Sequence, residues 1–137
     1  MPARSIATAT TLMISATLAC AQTPKALESR VQALAAGDAR DCGTVSWRAD
    51  RTDARDCANR ALASGAPFHV AFQLRDTSWQ AAVRDARGRL WAVFYETAAP
   101  GEAGAGPTLS AVLCRALVFE AHGDEEALDC TPTLGGD

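Results

Sequence analysis

Aromatic side chains are scarce in this chain, 6% of 137 residues, and alanine supplies much of the 48% that is hydrophobic. Alanine buries little area, so the core is smaller than that percentage implies and covalent staples gain value. Clustered positive charge is missing too. Thirteen basic and sixteen acidic residues interleave along the chain for a net charge of −3. No run of Lys or Arg could track a phosphate backbone, which argues against a nucleic-acid partner.

Catalytic signatures are also absent. Ser46, Ser78 and Ser110 lie outside any Gly-x-Ser-x-Gly elbow. Asp124-Glu125-Glu126 lacks the alternating oxygen ligands of a calcium loop, and the cysteines lack the close pairs of a zinc site. The glycine- and proline-rich stretch 98–107 lacks the Gly-Lys-Ser/Thr ending of a phosphate loop. Of the two histidines, His69 falls on the outward face of an expected strand and His122 in a turn. Both positions suit solvated surface residues. No catalytic residue, metal ligand or cofactor is expected, and the chain does not read as an enzyme.

What is present begins with a targeting segment. Arg4 is the only charge before a neutral-to-apolar run over 6–19, too short for the twenty or so residues that span a bilayer. Two processing routes fit. Thr17-Leu18-Ala19-Cys20 can act as a lipobox, with cleavage before Cys20 and lipid on its sulfur; alternatively Ala19-Cys20-Ala21 is a small-x-small site and the mature chain starts at Gln22. The first is preferred, with Cys20 as the lipidation site. Either route exports the product, to the periplasm, to the outer membrane as a lipoprotein, or as a soluble secreted protein. Any membrane association would be through the lipid anchor alone.

Four cysteines then remain: Cys42, Cys57, Cys114 and Cys130. An even number in a small exported domain reads as two disulfides. Of the three connectivities, Cys42–Cys57 with Cys114–Cys130 keeps each bridge inside one local unit.

The pattern around 68–97 organises the fold. Phe68, Val70, Phe72 and Leu74 alternate with His69, Ala71, Gln73 and Arg75, as in a strand covered on one face. A turn at 76–78 leads into a strand at 79–84. Asp85-Ala86-Arg87-Gly88 turns the chain again, with Gly88 supplying positive φ, into an apolar strand at 90–97 that suits mid-sheet.

Upstream, Thr23-Pro24 opens a helix over 24–36 with a narrow apolar stripe of Leu27, Val31 and Leu34, closed by Gly37. That stripe suits loose docking or a spacer from an anchor. A short strand over 43–48 would place Val45 and Trp47 together. Thr52 is the expected cap of a second helix over 53–63, whose buried face is Ala54, Cys57, Ala58, Ala61 and Leu62, stopped by Gly65 and Pro67.

Downstream, 109–120 is long enough for a strand with a bulge, with Cys114, Ala116 and Val118 on one face. A turn at His122-Gly123-Asp124 returns the chain as a strand over 127–131. The expected organisation is a signal peptide at 1–19, a linker or helix at 20–37, one domain at 38–131 and a tail at 132–137. The fold class is α+β: one or two helices on an antiparallel sheet of about four or five strands, with two disulfides.

Asp41-Cys42-Gly43-Thr44, the cysteine-bearing helix, the Pro67-Phe68 strand start, the Asp85-x-x-Gly88 hairpin and the late cysteine pair resemble small exported proteins, including lipoproteins, of proteobacteria. That resemblance implies export and carries no catalytic motif. The order of a helix followed by antiparallel strands is also similar to cystatin-like folds, but the Gln-x-Val-x-Gly hairpin of cystatins is missing. The inhibitory loop residues of periplasmic lysozyme-inhibitor lipoproteins are missing too.

Trp91, Val93 and Tyr95 alternate on one face of their strand, with Trp79 nearby. That face requires a cover, from helix 24–36 or the glycine-rich loop, or else a partner. Trp91, Tyr95 and Trp79 are therefore the candidate binding residues. The expected function is a non-enzymatic cell-envelope protein that binds a protein or cell-wall component, with inhibition of a hydrolase as the alternative.

Overall fold

The computed structural model describes residues 22–35, 37–97, 106–122 and 125–134. Cys20, the whole targeting segment and most of the glycine-rich loop lie outside them. The alternating residues of the organising stretch form β2 (Phe68–Arg75), β3 (Ser78–Arg84) and β4 (Leu90–Glu96), a continuous antiparallel meander. It continues through β5 (Thr108–His122) and β6 (Glu125–Pro132). On the other side of β2 lies β1 (Arg40–Val45), and it runs parallel to β2. The sheet thus has six strands in sequence order and is mixed, where four or five antiparallel strands were expected. The parallel pair follows from the helix between its members: a parallel connection needs a crossover, and α2 (Thr52–Ser64) supplies it.

Both faces of the sheet are covered. On one, Ala54, Ala58 and Ala61 of α2 pack with Phe68, Val70, Phe72, Ala82 and Ala92, joined by Cys114, Leu117, Phe119 and Leu128 from the last hairpin. The small alanines let the helix approach closely, so the aromatic rings come from the sheet. Phe72 and Phe119 meet edge to face at 6.1 Å between centroids.

On the opposite face, α1 (Lys25–Ala35) places Leu27, Val31 and Ala35 against Ala71, Trp79, Ala81, Val83, Val93 and Tyr95. Leu27 is fully buried. The helix expected to dock loosely instead covers one of the two buried clusters, and the face bearing His69, Ala71 and Gln73 points inward. Ala71 and Gln73 are only 6% exposed each. Gln73 is accommodated because its Oε1 accepts the Trp47 N–H at 3.1 Å. This bond lies beyond the end of β1, so Trp47 leaves the strand on which it was expected.

A bulge between Cys114 and Ala116 reverses the alternation in β5. Cys114 therefore shares the inward side with Leu117 and Phe119, while Val118 is 49% exposed. The expected Cys114–Ala116–Val118 face is broken by that extra residue. Beyond the bulge the β5–β6 hairpin folds back over the α2 face. Gln80, buried in β3, secures it: Nε2 donates to the Leu128 carbonyl at 2.8 Å and Oε1 accepts the Leu128 N–H at 3.4 Å.

The disulfides are Cys42–Cys57 and Cys114–Cys130, each with Cα atoms 5.5 Å apart. The first ties β1 to α2 and the second closes the base of the β5–β6 hairpin. At the start of α2 the N-cap position is Arg51 rather than Thr52. The adjacent anchoring side chain is Asp50, whose Oδ1 accepts the Thr52 N–H at 2.9 Å. Hydrogen bonding from Thr52 lowers the Asp50 pKa below its ordinary value. Gly65 ends α2 in the left-handed region at φ 74°, with its N–H and the next directed at Leu62 and Ala61 carbonyls. Arg84 reaches the same end, 3.5 Å from the Leu62 carbonyl, supplying the positive charge that the last turn lacks.

Candidate functional site

Trp79 and Tyr95 are direct cross-strand partners, whereas Trp91 sits at the far end of β4 opposite Val83. All three belong to the face that α1 covers, so the cover is the helix. Trp79 is 3% and Tyr95 9% exposed, and both reach the floor of a shallow cleft of about 300 Å³ with Leu74, Ser78, Glu96 and Thr108. Trp91 is only half-buried and is engaged elsewhere: its indole N–H donates to Asp85 Oδ2 at 3.3 Å.

Asp85 is the hub of the β3–β4 turn. Its Oδ1 accepts the N–H groups of Arg87 and Arg89, both at 2.9 Å, and Oδ2 accepts Arg89 Nε at 2.7 Å. Burial alone would raise its pKa. The hydrogen bonds from Arg89, Trp91 and Arg87 outweigh that and hold it below the ordinary carboxylate value. Gly88, at φ 80°, completes the turn. A cleft of about 250 Å³ opens beside it against Ala33 and Leu34, but the Asp85 oxygens are already occupied by the hairpin itself.

The roomiest of the three clefts has about 340 Å³ and lies between the first turns of α1 and the β1–β2 edge. Leu27, Val31 and Ala71 give it an apolar wall; Lys25, Glu28, Asp41, Thr44 and His69 supply polar groups. The parallel register aligns Asp41 with His69, so β1 and β2 bring the two side chains together. His69 Nδ1 lies 3.7 Å from Asp41 Oδ1, an electrostatic contact longer than a hydrogen bond, and the imidazole is 13% exposed. Asp41 Oδ1 also accepts the Gly43 N–H at 2.8 Å, which fixes the carboxylate at the cleft mouth. Lys25, the chain's single lysine, stands with Glu28 on the helix above.

This constellation escaped the sequence pattern because its members come from α1, β1 and β2, far apart along the chain. The legible signal was an expected strand with His69 and Ala71 on the same face, which α1 then roofs. Cys42, Cys57, Cys114 and Cys130 are consumed by disulfides, and among the described residues no group of three His, Cys, Asp or Glu side chains is arranged to hold a metal. The His122 side chain lies outside the described residues. No described helix is long and apolar enough to cross a membrane.

No protein-family model, curated protein or solved structure matches the chain. The paired disulfides are those of a protein from an oxidising, extracytoplasmic compartment.

Proposed function

We propose that this is a non-enzymatic binding protein of the cell envelope, and that its binding site is the cleft under α1. The observation that carries this reading is the cleft itself: a concavity of about 340 Å³, the roomiest of the three described, in which an apolar wall faces several polar groups. Apolar walls with a few convergent polar groups are the usual form of a ligand site. The Cys42–Cys57 bridge ties β1, which carries Asp41 and Thr44 of the cleft, to α2 on the opposite face of the sheet. Lipidation at Cys20, just before the first described residue of the cleft, would keep the site at a membrane surface.

Two measurements test this. Spectra of the isotopically labelled, oxidised protein should shift at Thr44, His69 and Ala71 when envelope fractions are added, without consumption of the bound component. Turnover of that component, or shifts confined to other surfaces, refutes the reading. For the anchor, Cys20→Ser should move the protein from the membrane to the soluble fraction. A mature mass beginning at Gln22 without lipid rules the anchor out.

A further inference from the structure

The polar groups of the α1 cleft carry both signs of charge, and most of that charge is uncommitted. Lys25 and Glu28 line the cavity from the roof, and neither side chain has an ion-pair or hydrogen-bond partner among the described residues. Asp41 stands at the mouth, anchored by Gly43 and 3.7 Å from His69 Nδ1. The Nε2 nitrogen of His69 has no partner among the described residues, and it can donate or accept according to its tautomer. Between these groups, Leu27, Val31 and Ala71 offer only small contact areas. The volume of about 340 Å³ equals that of about eleven liquid waters, room for a ligand of about a dozen non-hydrogen atoms.

We infer that the cleft recognises a small zwitterion of dipeptide size. Its ammonium group would meet Asp41 and Glu28, its carboxylate would meet Lys25, and His69 would bond to the polar atoms between. A singly charged ligand leaves one sign of the lining unanswered, and an apolar ligand leaves both. The shared chemistry, a free ammonium and a free carboxylate a few bonds apart, is offered both by dipeptides from protein breakdown and by free D-alanyl-D-alanine, a unit of wall peptides. This inference rests on the cleft being the binding site proposed above.

The probes are L-alanyl-L-alanine and D-alanyl-D-alanine, each with its N-acetylated and C-amidated forms, titrated into the full oxidised protein. The free dipeptides should shift the amides of Thr44, His69 and Ala71. Preference for the D,D form assigns the ligand to the wall, and preference for the L,L form to proteins. Capping either end removes one charge-assisted contact and should weaken binding about tenfold.

Lys25 and Glu28 are exposed on α1, so their variants keep the fold. In Lys25→Met the C-amidated form should bind as well as the free one, and in Glu28→Gln the penalty for N-acetylation should shrink without vanishing, because Asp41 still faces the ammonium. Equal binding of free and capped forms to the wild-type protein overturns zwitterion recognition. If no dipeptide binds while envelope fractions still shift the cleft amides, the ligand class is wrong and the binding-site assignment survives. If nothing shifts those amides, both are wrong.

Discussion

Gln80→Met should strip the β5–β6 hairpin of its buried side-chain anchor and destabilise the protein. Gln80 is 6% exposed, and its amide is the only side chain that bonds both backbone groups of Leu128, itself 6% exposed, among the described residues. Taking both Leu128 groups outward to Gln80 makes Phe119–Leu128 a non-hydrogen-bonded pair of the β5–β6 ladder, so no strand partner stands in reserve. Methionine fills nearly the same volume, so the change leaves little cavity and isolates the polar loss. An orphaned buried carbonyl or N–H costs about 1–3 kcal/mol. The carbonyl bond, at 2.8 Å, takes the full penalty; the N–H bond, at 3.4 Å, is long and takes less. Burying the thioether recovers some of this, leaving a net loss of about 2–4 kcal/mol.

Urea unfolding with both disulfides intact measures that loss. Hydrogen exchange locates it: the Leu128 amide should lose protection while the amides of β2 to β4 keep theirs. Gln80→Glu should be worse at neutral pH, because a carboxylate then faces the Leu128 carbonyl, and should partly recover in acid. A Gln80→Met protein within about 0.5 kcal/mol of wild type, the scatter of ordinary surface substitutions, would refute the argument.

Three further outcomes follow from the geometry. Asp85→Asn turns an amide N–H toward Arg89 Nε and the Trp91 indole, both donors, and should cost about 1–3 kcal/mol at pH 7 by urea unfolding. The native Asp85 pKa is lowered, so its stabilisation is complete above the unfolded-state value of about 3.9 and is lost as pH falls through the lower native value; Asp85→Asn should flatten that acid limb. Gly65→Ala should cost about 1–2 kcal/mol from its left-handed backbone alone, since the added Cβ would meet Arg84 Nη2 at an ordinary 3.7 Å; a neutral result in thermal unfolding would show that the helix end adapts. Replacing Cys114 and Cys130 together by alanine should cost about 3 kcal/mol, the chain-entropy figure for a loop of this length, with β6 losing exchange protection first.

Local patterns made the meander legible. Phe68 to Leu74 alternate, Gly88 marks the β3–β4 turn, and each disulfide closes within one supersecondary unit, so nearest-neighbour reasoning reached all of them. Side-chain bonds from distant residues were not legible. Gln73 looked solvent-facing until its partner, the Trp47 N–H, was in place, and Thr52 looked like a cap until Asp50 took up its N–H. The β5 face slipped because a bulge was expected but its position was not, and one residue of offset exchanges inside for outside. The parallel β1–β2 pair, on which the Asp41–His69 contact depends, is a pairing across a whole helix. No periodicity within either strand encodes it.

The sheet is open, not closed into a barrel, and an open sheet presents two rows of backbone donors and acceptors on which other chains can polymerise. Here both margins are interrupted from within. On β1, Gly43 at φ 101° lies where the register with β2 shifts, and Asp41 occupies its N–H. On β6, the outward groups of Leu128 are spent on Gln80. Among the described residues, the strands' own guard against edge-to-edge pairing includes one kinked glycine and one inward-facing glutamine.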